Sequence, residues 1–356
     1  MNDLTRRTQH YVSIPSVSGD ERALADEVAA TLRAAPHLEV TRVGDNVVAR
    51  TTGSRPHRVL VAGHLDTVPG DAGHVEVRDG VVIGLGACDM KGSLAVMVEL
   101  AIAPDAAASE VTWVFYANEE VSRVLSGLGE LQLADPALLV ADVAVLCEPT
   151  SCAVQAGCQG SVRVRLDLRG ERAHTARPWR GRNAIHRLAG PLTAAAAYTP
   201  RSVVLDGVTF TEQLQSVAVS GGVSGNVVPD AASLTLNQRV APDRSTADAI
   251  DELRATLAPF MEDGDGLEVL DAAEPASPNL AHPFVARLVE LSEVPPAAKL
   301  GYTDVSMFAA LGIASTNFGA GDPELAHHAG EFVTTEDLVR CRDVLGALLA
   351  EPVQLA

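Results

Sequence analysis

The sequence predicts an α/β fold: a large domain, residues 1–160 and 274–356, with a mainly parallel sheet covered by helices, and a smaller α+β domain of ferredoxin-like order inserted at residues 161–273. Three observations predict it. Short, very apolar runs alternate with helical spacing through Cys147; from Ser161 the period changes to two; and EPASPN, Glu274–Asn279, reads as a linker after which helix and strand patterns resume. At 356 residues and 47% apolar composition, the chain has length for about two domains and material for at least one large core.

In chain order, Ser18 followed by Leu24, Val28 and Leu32 predicts a capped amphipathic helix, and Val47–Thr51 and Val59–Ala62 are strand-like. A helix starting near Ser93 precedes the strand-like runs Val111–Ala117 and Asp142–Cys147. Apolar runs this unbroken suit strands buried on both faces, as in a parallel sheet beneath helices. In the inserted region SVRVRLDLRG alternates from Ser161, a helix follows from about Asn183, and strands are expected near Ser216–Ser220 and Ser233–Val240. Ser245-x-x-Asp248 is a capping box opening a helix over Thr246–Phe260, and Gly266–Leu270 is a final short strand.

Lys and Arg total 27 against 46 Asp and Glu, a formal charge of −19, which argues against nucleic acid or an anionic membrane as partner. Seven Phe, four Tyr and two Trp leave little material for stacking bases. No apolar run approaches the ~20 residues that span a bilayer, and MNDLTRRTQHYVSIPSVSGDE contains no apolar segment of the export type. The five cysteines are odd in number and scattered, without CxxC spacing, which disfavours a disulfide framework and a thiolate metal site. The expectation is a reduced, cytoplasmic protein.

Three strand-like runs end in acids or histidine: VLVAG leads into His64-Leu65-Asp66, VTWVFYA into Asn118-Glu119-Glu120, and DVAVLC into Glu148. Ligands of open α/β sheets lie at the carboxyl ends of strands, so these groups are expected to converge in one crevice. Asp89 in GLGACDMKGS and His327 in LAHHAGE complete a set of two histidines and several carboxylates without cysteine. Such donors suit zinc or a similar divalent ion, and the carboxylate excess favours two ions sharing a bridging carboxylate. Acids placed directly after buried apolar strands are costly without a cation.

GHLDTVPG (Gly63–Gly70), GLGACDMKGSLAVM (Gly84–Met97), ANEE (Ala117–Glu120), CEPTS (Cys147–Ser151), AHTARPWRGRNAIH (Ala173–His186), GNVVPD (Gly225–Asp230) and Gly301–His327 carry a resemblance. In order and spacing, nearly end to end, they resemble the di-zinc aminoacylase and carboxypeptidase family. The resemblance implies two zinc ions, with Co(2+) or Mn(2+) as substitutes: one held by His64, Asp89 and Glu148, the other by Asp89, Glu120 and His327, with Asp89 bridging. His327 is chosen over His328 because the family's ligand is followed four positions later by an acid, here Glu331. Asp66 resembles the carboxylate that fixes a ligand histidine's tautomer, and Glu119 the general base. A cis peptide after Asp89 is also implied.

The inserted domain is by resemblance a lid through which two copies form a homodimer, with His174 crossing to the neighbouring subunit as oxyanion donor. Arg239, Asn226, Thr303 and Arg177 match positions that meet substrate, Thr303 from the catalytic domain. Eight arginines against Asp167 and Glu171 between Ser161 and Pro200 would focus a positive field on an acidic small molecule, about half of them lying on a solvated face. CQGS, Cys158–Ser161, stands where some members carry arginines. The implied activity is zinc-dependent hydrolysis of the succinyl amide of N-succinyl-LL-2,6-diaminopimelate. The rivals are deacylation of another N-acyl amino acid, such as acetylornithine or a specialised-pathway intermediate, and a non-catalytic acyl-amino-acid binding protein.

Overall fold

Four parallel strands, in the order Glu110–Tyr116, Arg58–His64, Val143–Leu146 and Ala314–Asn317, form the middle of an eight-stranded sheet. Glu110–Tyr116 and Val143–Leu146 are buried throughout, as expected of strands covered on both faces. The structure, a computed structural model, describes residues 3–103 and 107–353. The sheet is parallel only in this middle. The hairpin Leu38–Val43 and Asn46–Thr51 adds antiparallel strands beyond Glu110–Tyr116, and Gln155–Ala156 pairs antiparallel with Ala314–Asn317 on the other side. Helix Gly92–Ile102, apolar on nearly every side, packs against Asp3–Ser13, Arg22–Arg33 and Thr335–Ala350.

The register sets the functional geometry. His64 lies beside Tyr116, and Ala62 beside Leu146, which itself lies beside Asn317, so all four central strands end at one edge. The chain leaves Arg58–His64 for a neighbour on one side and returns to place Val143–Leu146 on the other, which makes a topological switch point at that edge.

The chain divides into two units: the described residues up to Gly157 with Pro278–Ala297 and those from Met307, and a second of Cys158–Ser277 with Ala298–Ser306. The second unit is an antiparallel sheet in the order Leu214–Gly221, Ala231–Val240, Gly160–Arg169, Gly266–Ala273. This is the ferredoxin-like arrangement. Val162, Val164, Leu166 and Leu168 alternate inward with Ala232, Leu234 and Leu236 and pack on Leu188, Ala249, Leu253 and Leu257 of the helices. The capping box forms, Ser245 and Asp248 bonding each other's backbone amides at the start of Thr246–Leu257. Cys158 Sγ donates to the Thr303 carbonyl at 3.5 Å and Ser306 Oγ to the Glu274 carbonyl at 2.6 Å, which is why Ala298–Ser306, expected in the large domain, belongs here.

Several elements differ from expectation. Ser18 does not cap a helix: Arg22–Arg33 starts beyond it without a side-chain cap, because the Ser18 hydroxyl donates to Asp66 Oδ2 at 2.7 Å. Helix Asp3–Ser13, which buries Leu4, Thr8, Tyr11 and Val12, hairpin Ser202–Leu205 with Val208–Thr211, and the small sheet of Glu76–Arg78, Val81–Ile83 and Phe332–Thr334 lie outside the expected elements. All five cysteines are free and buried, and among the described residues no helix is long and apolar enough to cross a membrane.

Glu212, buried in the second unit, accepts from Arg201, Arg244 and the Ala241 amide. Burial would raise its pKa, but these partners outweigh it and hold the carboxyl below the ordinary value. Its stabilising contribution is therefore complete above the unfolded-state pKa and is lost as pH falls through the lowered folded value. Glu212→Gln is expected to lose about 3 kcal/mol in urea unfolding at pH 7, the difference from wild type shrinking only below about pH 4.

Candidate metal centre

Each chemistry-bearing residue leaves the end of a buried strand or a loop pinned beside one. His64 is the last residue of Arg58–His64; Glu119 and Glu120 follow Glu110–Tyr116 by three and four positions; Glu148 follows Val143–Leu146 by two. Asp89 lies in an irregular turn before helix Gly92–Ile102, and the Asp89–Met90 peptide is cis. His327 sits beyond Ala314–Asn317 in the left-handed region, at φ +64°.

The tertiary structure brings six of these groups together. Ligand atoms of His64, Asp89 and Glu148 lie within 4.8 Å of one another, as do those of Asp89, Glu120 and His327, and those of His64, Glu119 and Glu120. His64 Nε2 is 3.0 Å from Asp89 Oδ1; His327 Nε2 is 2.8 Å from Glu120 Oε1 and 3.6 Å from Asp89 Oδ2. Asp89 belongs to two of the three groups, and the arrangement includes His327 and not His328.

The electrostatics follow from crowding. Burial alone would lower the His64 pKa, but Asp66, Asp89 and Glu119 overcome it and raise it well above the ordinary value; in His327, Glu120 and Asp89 likewise overcome burial. Glu120 is pushed upward first by burial and further by the Asp89 charge, against the pull of the two histidines. Several carboxylates forced into one space draw positive charge from whatever is near. A divalent cation meets that demand with neutral histidines, and the donors, oxygen and imidazole without thiolate, are those zinc and similar ions accept. The residues fit a metal.

The supporting contacts differ from the expected ones in an informative way. His64 Nδ1 donates to the Asp66 backbone carbonyl at 2.9 Å, while the Asp66 carboxylate stands 3.6 Å off. That carboxylate is instead held by the Glu119 and Glu120 amides, at 2.9 and 3.0 Å, and by the Ser18 hydroxyl. It thereby fixes the backbone that carries both glutamates, and its pKa is lowered because His64 and these amides outweigh its burial. Glu21 accepts from the amide of Asn118, a residue at φ +59°, and Ser16 Oγ donates to the Leu65 carbonyl at 2.7 Å. Ser16, Ser18 and Glu21 were not singled out as site residues; their only signal was a polar cluster after Pro15, which reads equally well as a helix start.

Within the second unit, exposed His174 accepts the Ala176 amide on Nδ1 at 3.0 Å, which in a neutral ring leaves the proton on Nε2 as a donor. Asn226 neighbours it, its carbonyl accepting the Thr175 amide, and Asn226 Oδ1 takes the Ser224 hydroxyl, which leaves the side-chain amide free to donate. The arginine-rich stretch is less of a cationic field than its composition suggests. Arg165, Arg172, Arg182 and Arg187 pair with Glu268, Asp230, Glu262 and Asp265. Half-buried Arg239 has no ion pair among the described residues, and burial lowers its pKa; Arg177 is exposed and Thr303 buried.

The family model described as Peptidase family M20/M25/M40 matches residues 60–351. The chain is 41% identical over 352 residues to the succinyl-diaminopimelate desuccinylase of Corynebacterium glutamicum, covering 97% of this chain and 95% of that protein. A Mycobacterium tuberculosis protein provisionally named succinyl-diaminopimelate desuccinylase DapE is 47% identical over 345 residues, 95% of each. Among solved structures, the Bacillus subtilis YxeP protein, described as a dinuclear metal-binding peptidase of the M20 family, shares the fold at a TM-score of 0.74 and 15% identity, over 98% of this chain and 96% of that one.

Proposed function

The chain belongs to peptidase family M20/M25/M40, and from that premise we propose that this metal-dependent hydrolase releases succinate and LL-2,6-diaminopimelate from N-succinyl-LL-2,6-diaminopimelate. The observation that carries the reading is the pair of ligand groups meeting at Asp89, in a chain 41% identical to a desuccinylase over nearly its whole length. His64, Asp89 and Glu148 would hold one zinc and Asp89, Glu120 and His327 a second, Asp89 bridging. Bound there, the ions supply a water of lowered pKa and polarise the amide carbonyl.

The remaining roles fall to the protein's own groups. Glu119 takes the proton of the attacking water and gives it to the departing amine, so the diaminopimelate nitrogen leaves neutral. His174 donates Nε2–H to the oxyanion that develops on the carbonyl oxygen. Asp66 keeps Glu119 and Glu120 aimed by holding their amides, and holds the His64 tautomer through its carbonyl. Arg239, with no carboxylate of its own, would receive a substrate carboxylate, helped by the donor end of Asn226 and by Arg177 and Thr303. Five free, buried cysteines support a reducing, cytoplasmic setting.

The protein would act as a homodimer through its second unit. Leu214–Gly221 is an edge strand exposed at every residue but Leu214, with Val217 and Val219 each 54% exposed. Such an edge pairs readily with its own copy.

Three measurements test this reading. Zinc-loaded protein should release succinate from N-succinyl-LL-2,6-diaminopimelate far faster than it deacylates acetylornithine or succinyl-ornithine; a preference for either would reassign the substrate. Glu119→Gln should retain its metal, measured by elemental analysis, while kcat falls about 10²–10⁴-fold. Mixing inactive Glu119→Gln with inactive His174→Ala chains should restore activity once subunits exchange, since one site of a mixed dimer joins an intact Glu119 to the partner's intact histidine. Exchange without recovery would confine His174 to its own chain.

A further inference from the structure

Glu331 is 1% exposed and spends its carboxylate on main-chain amides distant in sequence. Its Oε1 accepts from Cys88 N at 2.8 Å and Asp89 N at 2.7 Å, and its Oε2 from Gly86 N at 3.0 Å. Its own carbonyl accepts Gly84 N at 2.9 Å. Four amides of one loop thus converge on one residue. Within that loop Gly84 and Gly86 hold φ of +154° and +80°, where the chain relies on glycine's freedom. At the other end, the Glu331 amide donates to the His328 carbonyl at 3.1 Å, closing the turn that follows His327.

We infer that Glu331 is a positioning residue for the metal centre: its carboxylate fixes the backbone from which Asp89 projects and ties it to the turn that carries His327. The inference rests on the assignment of Asp89 and His327 as ligands. The chemistry favours a carboxylate over any neutral substitute. A charged acceptor with two oxygens can take three N–H donors, and such bonds are stronger than neutral ones. Glutamine at this position would turn an NH₂ group toward at least one amide N–H, donor against donor, and the loop would have to move to relieve it. Because Asp89 belongs to two of the ligand groups, a displacement of its backbone disturbs both.

The test separates positioning from simple stabilisation. Zinc affinity of wild type, Glu331→Gln and Asp89→Asn is measured by equilibrium dialysis against a competing chelator, and unfolding of each metal-free protein is followed in parallel. Glu331→Gln is expected to bind zinc about 10–100-fold more weakly, the usual cost of removing a group that orients a ligand. Its apo form should still unfold cooperatively. Zinc affinity within twofold of wild type in Glu331→Gln, with Asp89→Asn strongly impaired, would overturn the inference and leave the metal assignment standing. Wild-type affinity in Asp89→Asn would overturn both. If Glu331→Gln does not fold, Glu331→Asp, which keeps the charge but withdraws the oxygens by about one C–C bond, should show the same weakening, and unchanged zinc affinity in it would equally refute the role.

Discussion

Like charges crowded into one small space dominate this molecule. Asp66, Asp89, Glu148 and Glu331 are buried, and Glu119 and Glu120 stand half-buried beside them at the end of the sheet, where buried Lys91, its ammonium bonded to the Ile14 carbonyl, is one cation against six acids. Leaving such a cluster uncompensated costs several kcal/mol per charge. The structure deals with these acids in two ways. Asp66, Glu331 and Glu21 are bound by main-chain amides, which neutralise nothing but satisfy the carboxylate oxygens and pin the loops. Asp89, Glu120 and Glu148 instead gather with the histidines. The amide-bound acids make the scaffold, and the others form the site it presents.

Parallel strands are what allow such a gathering. All four central strands end at the same edge, so residues separated by up to a few hundred positions in the chain arrive within bonding distance of one another. The strands are buried along their length, and helix Gly92–Ile102, which packs against two of them, is apolar on nearly every side, so the polar groups are left to the strand ends. Hydrogen bonds give the loops there their shape: the Glu21 carboxylate holds the Asn118 amide, and main-chain bonds from the His328 and Glu331 amides close the turn around His327, so both residues are kept in the left-handed region without glycine.

The second unit obeys different rules. Its antiparallel sheet buries one face and leaves the other wet, so its charges sit on a surface where oppositely charged neighbours are within reach. Four arginines of the basic stretch find acids from other strands and loops. What remains distinctive is the half-buried Arg239, which has no such acid among the described residues, and the exposed strand Leu214–Gly221 at the edge of the sheet.

Periodicity was enough to read the central strands, the capping box at Ser245, and the α/β and ferredoxin-like order, because burial on one or two faces writes itself directly into residue type along a strand or helix. The acids and histidines at strand ends were legible for the same reason: a charge after an unbroken apolar run stands out. Pairing leaves no comparable trace. That Ser18 bonds Asp66 rather than capping a helix, that Asp66 holds the Glu119 and Glu120 amides, that Glu331 clamps the Asp89 loop, and that four of the eight arginines in the basic stretch pair with acids could be decided only by the fold. These contacts join residues tens to hundreds of positions apart, and a hydrogen bond depends on distance and direction, which a sequence does not encode locally.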